Sequence, residues 1–230
     1  MKKIVVEDFG DYLAEVEKIK SPNVNLFRGQ SSNKPLLPSI ARSSPQKDTK
    51  LLEKKMLLEL KRRTQILQTH ELSDIWNWIV FAQHHGMKTR LLDWTSNPLA
   101  ALWFACKDNM QRNTDSFVYV FASKKENLIK NTFKSSPFDD GKTRILRAPQ
   151  NNERIIAQSG WFTVHRYSKK REKFIGLDSN IDYRNNITQL RIKGDKRNIM
   201  MALDKFGVSY KSMYPDFEGI CKYINWIETN

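Results

Sequence analysis

Cysteine is almost absent from this chain. Only Cys106 and Cys221 occur, far apart and outside any C-x-x-C unit, which argues against a disulfide scaffold and a cysteine-based zinc site. Histidine is nearly as scarce: there are 4, with no H-x-x-x-H or H-E-x-x-H spacing, so no metal is expected. The phosphate-loop glycine pattern and the G-x-S-x-G elbow are both missing. With 9 Gly and 8 Pro, no low-complexity linker class applies. No apolar run approaches the roughly 20 residues of a membrane span, so no membrane partner is expected. Lys2 and Lys3 are not followed by the apolar stretch of a secretory leader, and with so few cysteines a reducing cytoplasm is the expected location. Acidic residues are outnumbered, 25 Asp+Glu against 39 Lys+Arg, for a net charge of +14. Such a surface attracts phosphate-rich partners, RNA above all. A chain rich in Lys, Asn and Ile reaches the same excess by composition alone.

What is present suits one packed domain. The 230 residues are 40% hydrophobic and 11% aromatic. Residues 7–19 carry Phe9, Leu13, Val16 and Ile19 at helical spacing, and Ser21-Pro22-Asn23 should stop that helix. A β-prone run, Val24 to Phe27, ends in Arg28-Gly29-Gln30. Residues 31–48, with three Pro and five Ser, read as an extended surface loop. A helix over 49–69 has Leu51, Leu52, Met56, Leu58, Leu60 and Ile66 as its apolar stripe. Lys54, Lys55, Lys61, Arg62 and Arg63 face outward, as a nucleic-acid surface or simply a solvated face. A second helix covers 73–85 with Ser73 as cap, and Asn97-Pro98 starts a third. Strands are expected at 91–92, 117–122 and 187–192, a polar loop over 123–143, and closing helices over 195–206 and 216–228. The fold class is α+β, a small, mostly antiparallel sheet wrapped by helices.

The segment 81–105 packs His84, His85, Thr89, Arg90, Asp93, Trp94, Thr95, Ser96 and Asn97 between apolar helices. A buried polar group left unsatisfied costs about 1–3 kcal/mol, so pure packing does not call for such a cluster. One reading is structural: Arg90 and Asp93 pair in the interior, and Thr95 or Ser96 caps the following helix. The other is a binding site.

The pieces LFRGQ (26–30), AQHHGMKTRLLDWTSNPLAALWFA (82–105), ERIIAQSGWFTVH (153–165) and YPDFEGICKYI (214–224) resemble the FRG family of bacterial proteins, named for an aromatic-Arg-Gly motif, here Phe27-Arg28-Gly29. The blocks lie in the family's order over about 22–225 of a single domain that takes in the whole chain, 1–230. That family is largely uncharacterised and is often found among phage-defence and mobile-element genes. A second resemblance is to ADP-ribosyltransferases of the Arg-Ser-Glu type, and it implies an ADP-ribosyltransferase-like fold with NAD as cofactor. Phe27-Arg28-Gly29 matches the strand end whose Arg binds the NAD phosphates. Trp94-Thr95-Ser96, followed by Ala101 to Ala105, matches the Ser-Thr-Ser strand and its helix, with Trp replacing the first Ser. Glu153 through Phe162-Thr163-Val164 matches the catalytic strand, with Asn151 where protein-modifying members have Glu or Gln.

The resemblance implies Glu153, Thr95 and Ser96 in catalysis and Arg28 at the NAD phosphates; Gly29, Gln30, Arg90, Asp93, Trp94, Asn97, Arg154 and Gln158 are the further candidates for cofactor binding. Glu153 would stabilise an oxocarbenium ion. This requires 153–157 to be a strand, pairing with 161–165 through a turn at Ser159-Gly160. If 150–158 is instead a helix, Arg154 or Gln158 points inward and Glu153 sits in water. Trp94 or Trp161 would stack a base or nicotinamide. The competing function is an RNA-binding protein or metal-independent ribonuclease, with His84 or His85 and His165 as general acid and base. Both readings expect Arg28, His84, Arg90, Asp93 and Thr95 to line one pocket.

Overall fold

The structure, a computed structural model, describes residues 1–19, 24–67, 72, 74–110, 114–150 and 152–229. Along the chain it runs β1 (Lys2–Val6), α1 (Phe9–Glu17), β2 (Val24–Gln30), α2 (Lys50–Thr64), α3 (Ile75–His84), β3 (Leu91–Thr95), α4 (Pro98–Cys106) and β4 (Ser116–Ser123). There follow β5 (Arg144–Arg147), α5 (Glu153–Ala157), β6 (Gly160–Val164), β7 (Tyr167–Ser168), β8 (Lys173–Phe174), β9 (Ile187–Ile192), α6 (Lys196–Lys205), α7 (Tyr210–Met213) and α8 (Phe217–Thr229). Seven strands form one open sheet in the order β1-β9-β4-β2-β3-β6-β5, and β7 pairs with β8 as a separate hairpin. Only β1–β9 is parallel; the other pairs in the sheet are antiparallel. The fold is therefore α+β with a mostly antiparallel sheet, as expected. Strands β1 and β5 are its edges, the latter touched by an isolated bridge between Leu128 and Ile145.

Strand β4, SFVYVFAS, is buried along nearly its whole length, and its β-branched and aromatic residues suit a central strand covered on both faces. One face packs Val6, Tyr12, Phe27, Trp103, Leu203 and Trp226 beneath α1, α4, α6 and α8. The other face holds Leu26, Leu36, Trp94, Phe121 and Tyr183. Loop 31–48 thus contributes to the core rather than lying on the surface: Leu36 and Ala41 are fully buried, and Ser39–Ala41 is a short 3-10 turn. Helix α4 begins at its cap, Asn97, whose side chain accepts from the backbone N–H groups of Leu99 and Ala100, with Pro98 at the first position. Its small residues let β2 come very close. A Cβ on Gly29 would stand 2.0 Å from the Ala101 carbonyl oxygen and 2.5 Å from the Ala105 nitrogen, so only glycine fits.

Several local expectations change. Helix α3 is capped by Asp74, whose side chain accepts from the Asn77 N–H at 2.7 Å. The stop at Ser21-Pro22-Asn23, the cap at Ser73 and Asn151 lie outside the described residues. Residues 153–157 are a helix, not a strand. Asn152 caps it by accepting from the N–H groups of Arg154 and Ile155, and the chain reverses at Ser159 with φ 47. Helix α2 is rotated from the expected register: Leu51, Leu58 and Ile66 are exposed, while Glu53 and Leu57 are buried. The reason is an ion pair. Arg90 donates to Glu53 from Nη2 at 2.9 Å, from Nε at 3.3 Å and from its backbone nitrogen at 2.9 Å. Thr49 adds a 2.7 Å bond to the same carboxylate, and the Arg90 guanidinium lies 4.6 Å from the centre of the Phe138 ring. Arg90 thus pairs with Glu53, not with Asp93.

This pair bolts α2 to the start of β3. Glu53→Gln keeps the shape but leaves Arg90 an uncompensated buried charge, which should cost about 3–5 kcal/mol. Urea denaturation followed by tryptophan fluorescence measures it. An unchanged midpoint would show that the pair does not hold α2 in place.

Candidate functional site

Strands β2 and β3 are neighbours in the sheet but meet at a single register position, Phe27 opposite Thr95. Beyond it β2 follows α4 and β4, whereas β3 pairs with β6 along its length. The strands part, and a cavity of about 360 Å³ opens where they separate. Arg28 reaches across the gap. Its Nη1 donates to the backbone carbonyl of Asp93 at 2.7 Å and lies 3.7 Å from the Asp93 carboxylate. The guanidinium so satisfies a strand carbonyl where ladder pairing has ended.

A chain of hydrogen bonds orients it. Thr89 Oγ1 donates to Gln83 Oε1 at 2.6 Å, and Gln83 Nε2 donates to both Asp93 carboxylate oxygens at 3.1 Å. On the other side Arg28 Nε donates to Gln30 Oε1 at 3.2 Å, and Gln30 Nε2 donates to the Lys34 carbonyl at 2.9 Å. Nη2 has no acceptor among the described residues. Burial lowers the Arg28 pKa from its ordinary value; nearby Asp93 opposes this and Arg42 adds to it. Lys34, Arg42 and Lys107 also line the cavity, against the carboxylates of Asp93 and Asp108, and Phe27 and Phe104 supply apolar wall. Such an arrangement can take an anion: a forked donor held in place, further cations around it, and one half-exposed carboxylate, Asp93, facing it.

Of the residues singled out by sequence, Arg28, Gly29, Gln30, Asp93, Trp94, Thr95 and Gln158 line this cavity. Several of these have structural duties. Gly29 is required by the approach to α4. Trp94 is buried and donates from Nε1 to Thr163 Oγ1 at 3.0 Å. Thr95 Oγ1 accepts from the Asn97 N–H at 2.9 Å and donates to the Gln158 carbonyl at 2.6 Å, joining β3 to the end of α5. Gln158 in turn donates from Nε2 to the Met213 carbonyl at 2.9 Å.

His84, Arg90, Ser96, Asn97, Glu153 and Arg154 do not line it. Arg90 is in the interior with Glu53, Asn97 is the α4 cap, and Ser96 is exposed with its N–H donating to the Ser159 carbonyl at 3.1 Å. The single pocket expected for Arg28, His84, Arg90, Asp93 and Thr95 therefore holds only Arg28, Asp93 and Thr95. Glu153 is exposed at the head of α5 and shares a different surface cavity with His84, His85, Arg154 and Asp216. There Arg154 is committed to Asp216, through Nε at 2.8 Å and Nη2 at 2.5 Å. Desolvation, with His85 and Arg154 nearby, lowers the His84 pKa, and Asp216 opposes. His165, the expected partner of these histidines, is buried in the sheet with Nε2 3.1 Å from Thr163 Oγ1.

Sequence reasoning missed Lys34, Arg42, Lys107 and the positioning role of Gln83. Lys34 and Arg42 sit in a loop without periodicity, so nothing local marks them; Gln83 lay beside the histidines that drew notice.

The comparison with known proteins bears on these residues. The chain carries an FRG domain over residues 23–114. Every residue lining the cavity except Gln158 falls within the matched span. No curated protein and no solved structure shows significant similarity to the chain.

His165 gives a pH signature. Burial, with the Arg28 charge adding and a backbone hydrogen bond at Ile175 opposing, lowers its pKa to about 3. The unfolded chain therefore binds a proton below about pH 6.5 that the fold excludes, and stability falls as pH drops from there toward the folded value. At pH 5 the loss from this group should be about 2 kcal/mol. His165→Gln should flatten that part of the profile in denaturation curves at neutral and acid pH; an identical profile would show another group responsible.

Proposed function

We propose that the FRG-domain cleft binds a nucleotide through its phosphates, NAD among the candidates, with Arg28 as the anion anchor. One observation carries this reading: a guanidinium fixed in a break in the sheet, with Nη2 unpaired among the described residues and three further cations lining the same cavity. The volume lies at the small end of ligand pockets, as a nucleotide's phosphate end requires. Trp94, buried and tied to Thr163, does not stack a base, and Phe27 is buried as well; the half-buried ring of Phe104 takes that part. If the bound nucleotide is cleaved at its glycosidic bond, the carboxylate placed to stabilise the oxocarbenium ion is Asp93. Glu153 lies in another cavity, so the Arg-Gly block of the transferase pattern is at the cleft and its Glu is not. The FRG resemblance suggests that such a site serves a phage-defence or toxin effector. The ribonuclease alternative keeps His84 and His85 at one cavity but loses His165 to the core.

Isothermal titration with NAD, ADP-ribose and ATP tests the reading. Arg28→Ala should weaken binding about 10- to 100-fold, the worth of a charged hydrogen bond, and Arg28→Lys should not restore it. Glu153→Gln should bind as the parent does. Release of nicotinamide from NAD, if observed, should fall about 10²-fold in Asp93→Asn. Nucleotides failing to bind the parent, or an Arg28→Lys variant binding as well as the parent, would overturn the assignment.

A further inference from the structure

The basic helix face that the sequence offers for nucleic acid is largely spent within the protein. Arg62 and Arg63 both pair with Glu59, and Lys54 and Lys61 lie over the rings of Phe138 and Trp78 at 5.7 and 5.1 Å. The unspent charge lies elsewhere. The hairpin β7–β8 stands apart from the main sheet, and its exposed tip reads Lys169-Lys170-Arg171-Glu172-Lys173, with Glu172 turning the chain at φ 50. Lys169 pairs with Asp140 at 2.8 Å, but Lys170, Arg171 and Lys173 have no carboxylate partner among the described residues.

Those three cations line a groove of about 580 Å³, larger than the nucleotide cleft. Its walls are the hairpin and the far side of loop 31–48, contributed by Pro35, Leu37, Pro45 and Gln46. Lys142 and Arg166 bring its cations to five, against one lining carboxylate, Asp182, which Lys142 faces at 3.8 Å. Arg166 is hydrogen-bonded to the carbonyls of Pro137 and Ser136, with Asp139 and Asp140 acting on it at longer range. Holding five cations around one groove with one carboxylate costs mutual repulsion, which a bound polyanion relieves.

From this we infer that the β7–β8 groove binds single-stranded nucleic acid through its phosphodiester backbone. The cations are spread over three chain segments, which suits a repeating charge better than one phosphate. The cavity is too small for a duplex. Its ring, Phe174, is buried with no face to offer a base, so recognition is of backbone and not of sequence. The site is separate from the nucleotide cleft, with loop 31–48 between them: Lys34 and Arg42 face the cleft, Pro35 and Pro45 the groove.

Fluorescence anisotropy with a short labelled single-stranded RNA, the matching DNA and a duplex tests this on the full chain. The triple variant Lys170→Glu, Arg171→Glu, Lys173→Glu alters only exposed residues at the hairpin, so it should keep the parent's circular dichroism and Tm. At about 50 mM salt it should bind single strands at least about 10-fold more weakly than the parent. The slope of log K against log salt should shrink by about 2, given about 0.7 per phosphate contact on single strands. A Lys55→Glu, Arg63→Glu variant on α2, and Arg28→Ala in the nucleotide cleft, should bind as the parent does. Equal affinity for RNA and DNA would assign the contact to the phosphates alone; preference for RNA would add the 2′-hydroxyl. The inference is overturned if the hairpin variant keeps the parent's affinity and slope. It is equally overturned if duplex is preferred, or if phosphatidylserine vesicles bind through these residues while oligonucleotides do not.

Discussion

Strand β2 can lie against α4 only because residue 29 lacks a Cβ, and that contact fixes the path of β2 independently of β3. Strand β3 is registered instead by β6, over five positions from Leu91–Val164 to Thr95–Gly160. The two strands are thus drawn to different neighbours and share one pairing position. A sheet broken in its middle leaves backbone groups without ladder partners, and such groups must find others. Arg28 supplies one, at the Asp93 carbonyl. The aromatic-Arg-Gly motif therefore does three jobs in three consecutive residues: Phe27 closes the last pairing position, Arg28 bridges the gap, and Gly29 creates it.

Two arginines, Arg28 and Arg90, take opposite roles. Arg90 is almost fully buried, with its guanidinium bonded to both carboxylate oxygens of Glu53 and to the Pro137 carbonyl. Arg28 is held by neutral groups and a carbonyl, with Asp93 at longer range. The first arrangement neutralises charge and locks a helix. The second leaves Nη2 without an acceptor among the described residues while fixing the direction of the guanidinium.

The fold class, the elements around α4 and β4, and the membership of Arg28, Asp93 and Thr95 in one cavity were legible in the sequence. They follow from strong periodicity, from Asn97-Pro98, and from the clustering of polar residues at the ends of apolar runs. Helix α2 was misread because its inward face carries Glu53, and a charged residue counts as outward in any periodicity argument. The α5 segment stays open between strand and helix because ERIIA suits either equally by apolar content; the helix, with Glu153 exposed, is decided by a cap, Asn152, whose preference is local and small. Strands β1 and β5 were not anticipated at all. They are short, sit at the edges, and carry Lys2, Lys3, Arg144 and Arg147, so they look like polar tails or loops.

Those edge residues have a consequence for the molecule in solution. An open sheet offers two rows of unpaired backbone donors and acceptors, and identical molecules can join them end to end. Here one border bears two lysines and the other two arginines, so any approach of border to border, in either combination, brings cation to cation. The repulsion acts over about 10 Å at 0.1 M salt and fades as ionic strength rises. The cations of these two edge strands thus oppose one copy's extending another's sheet.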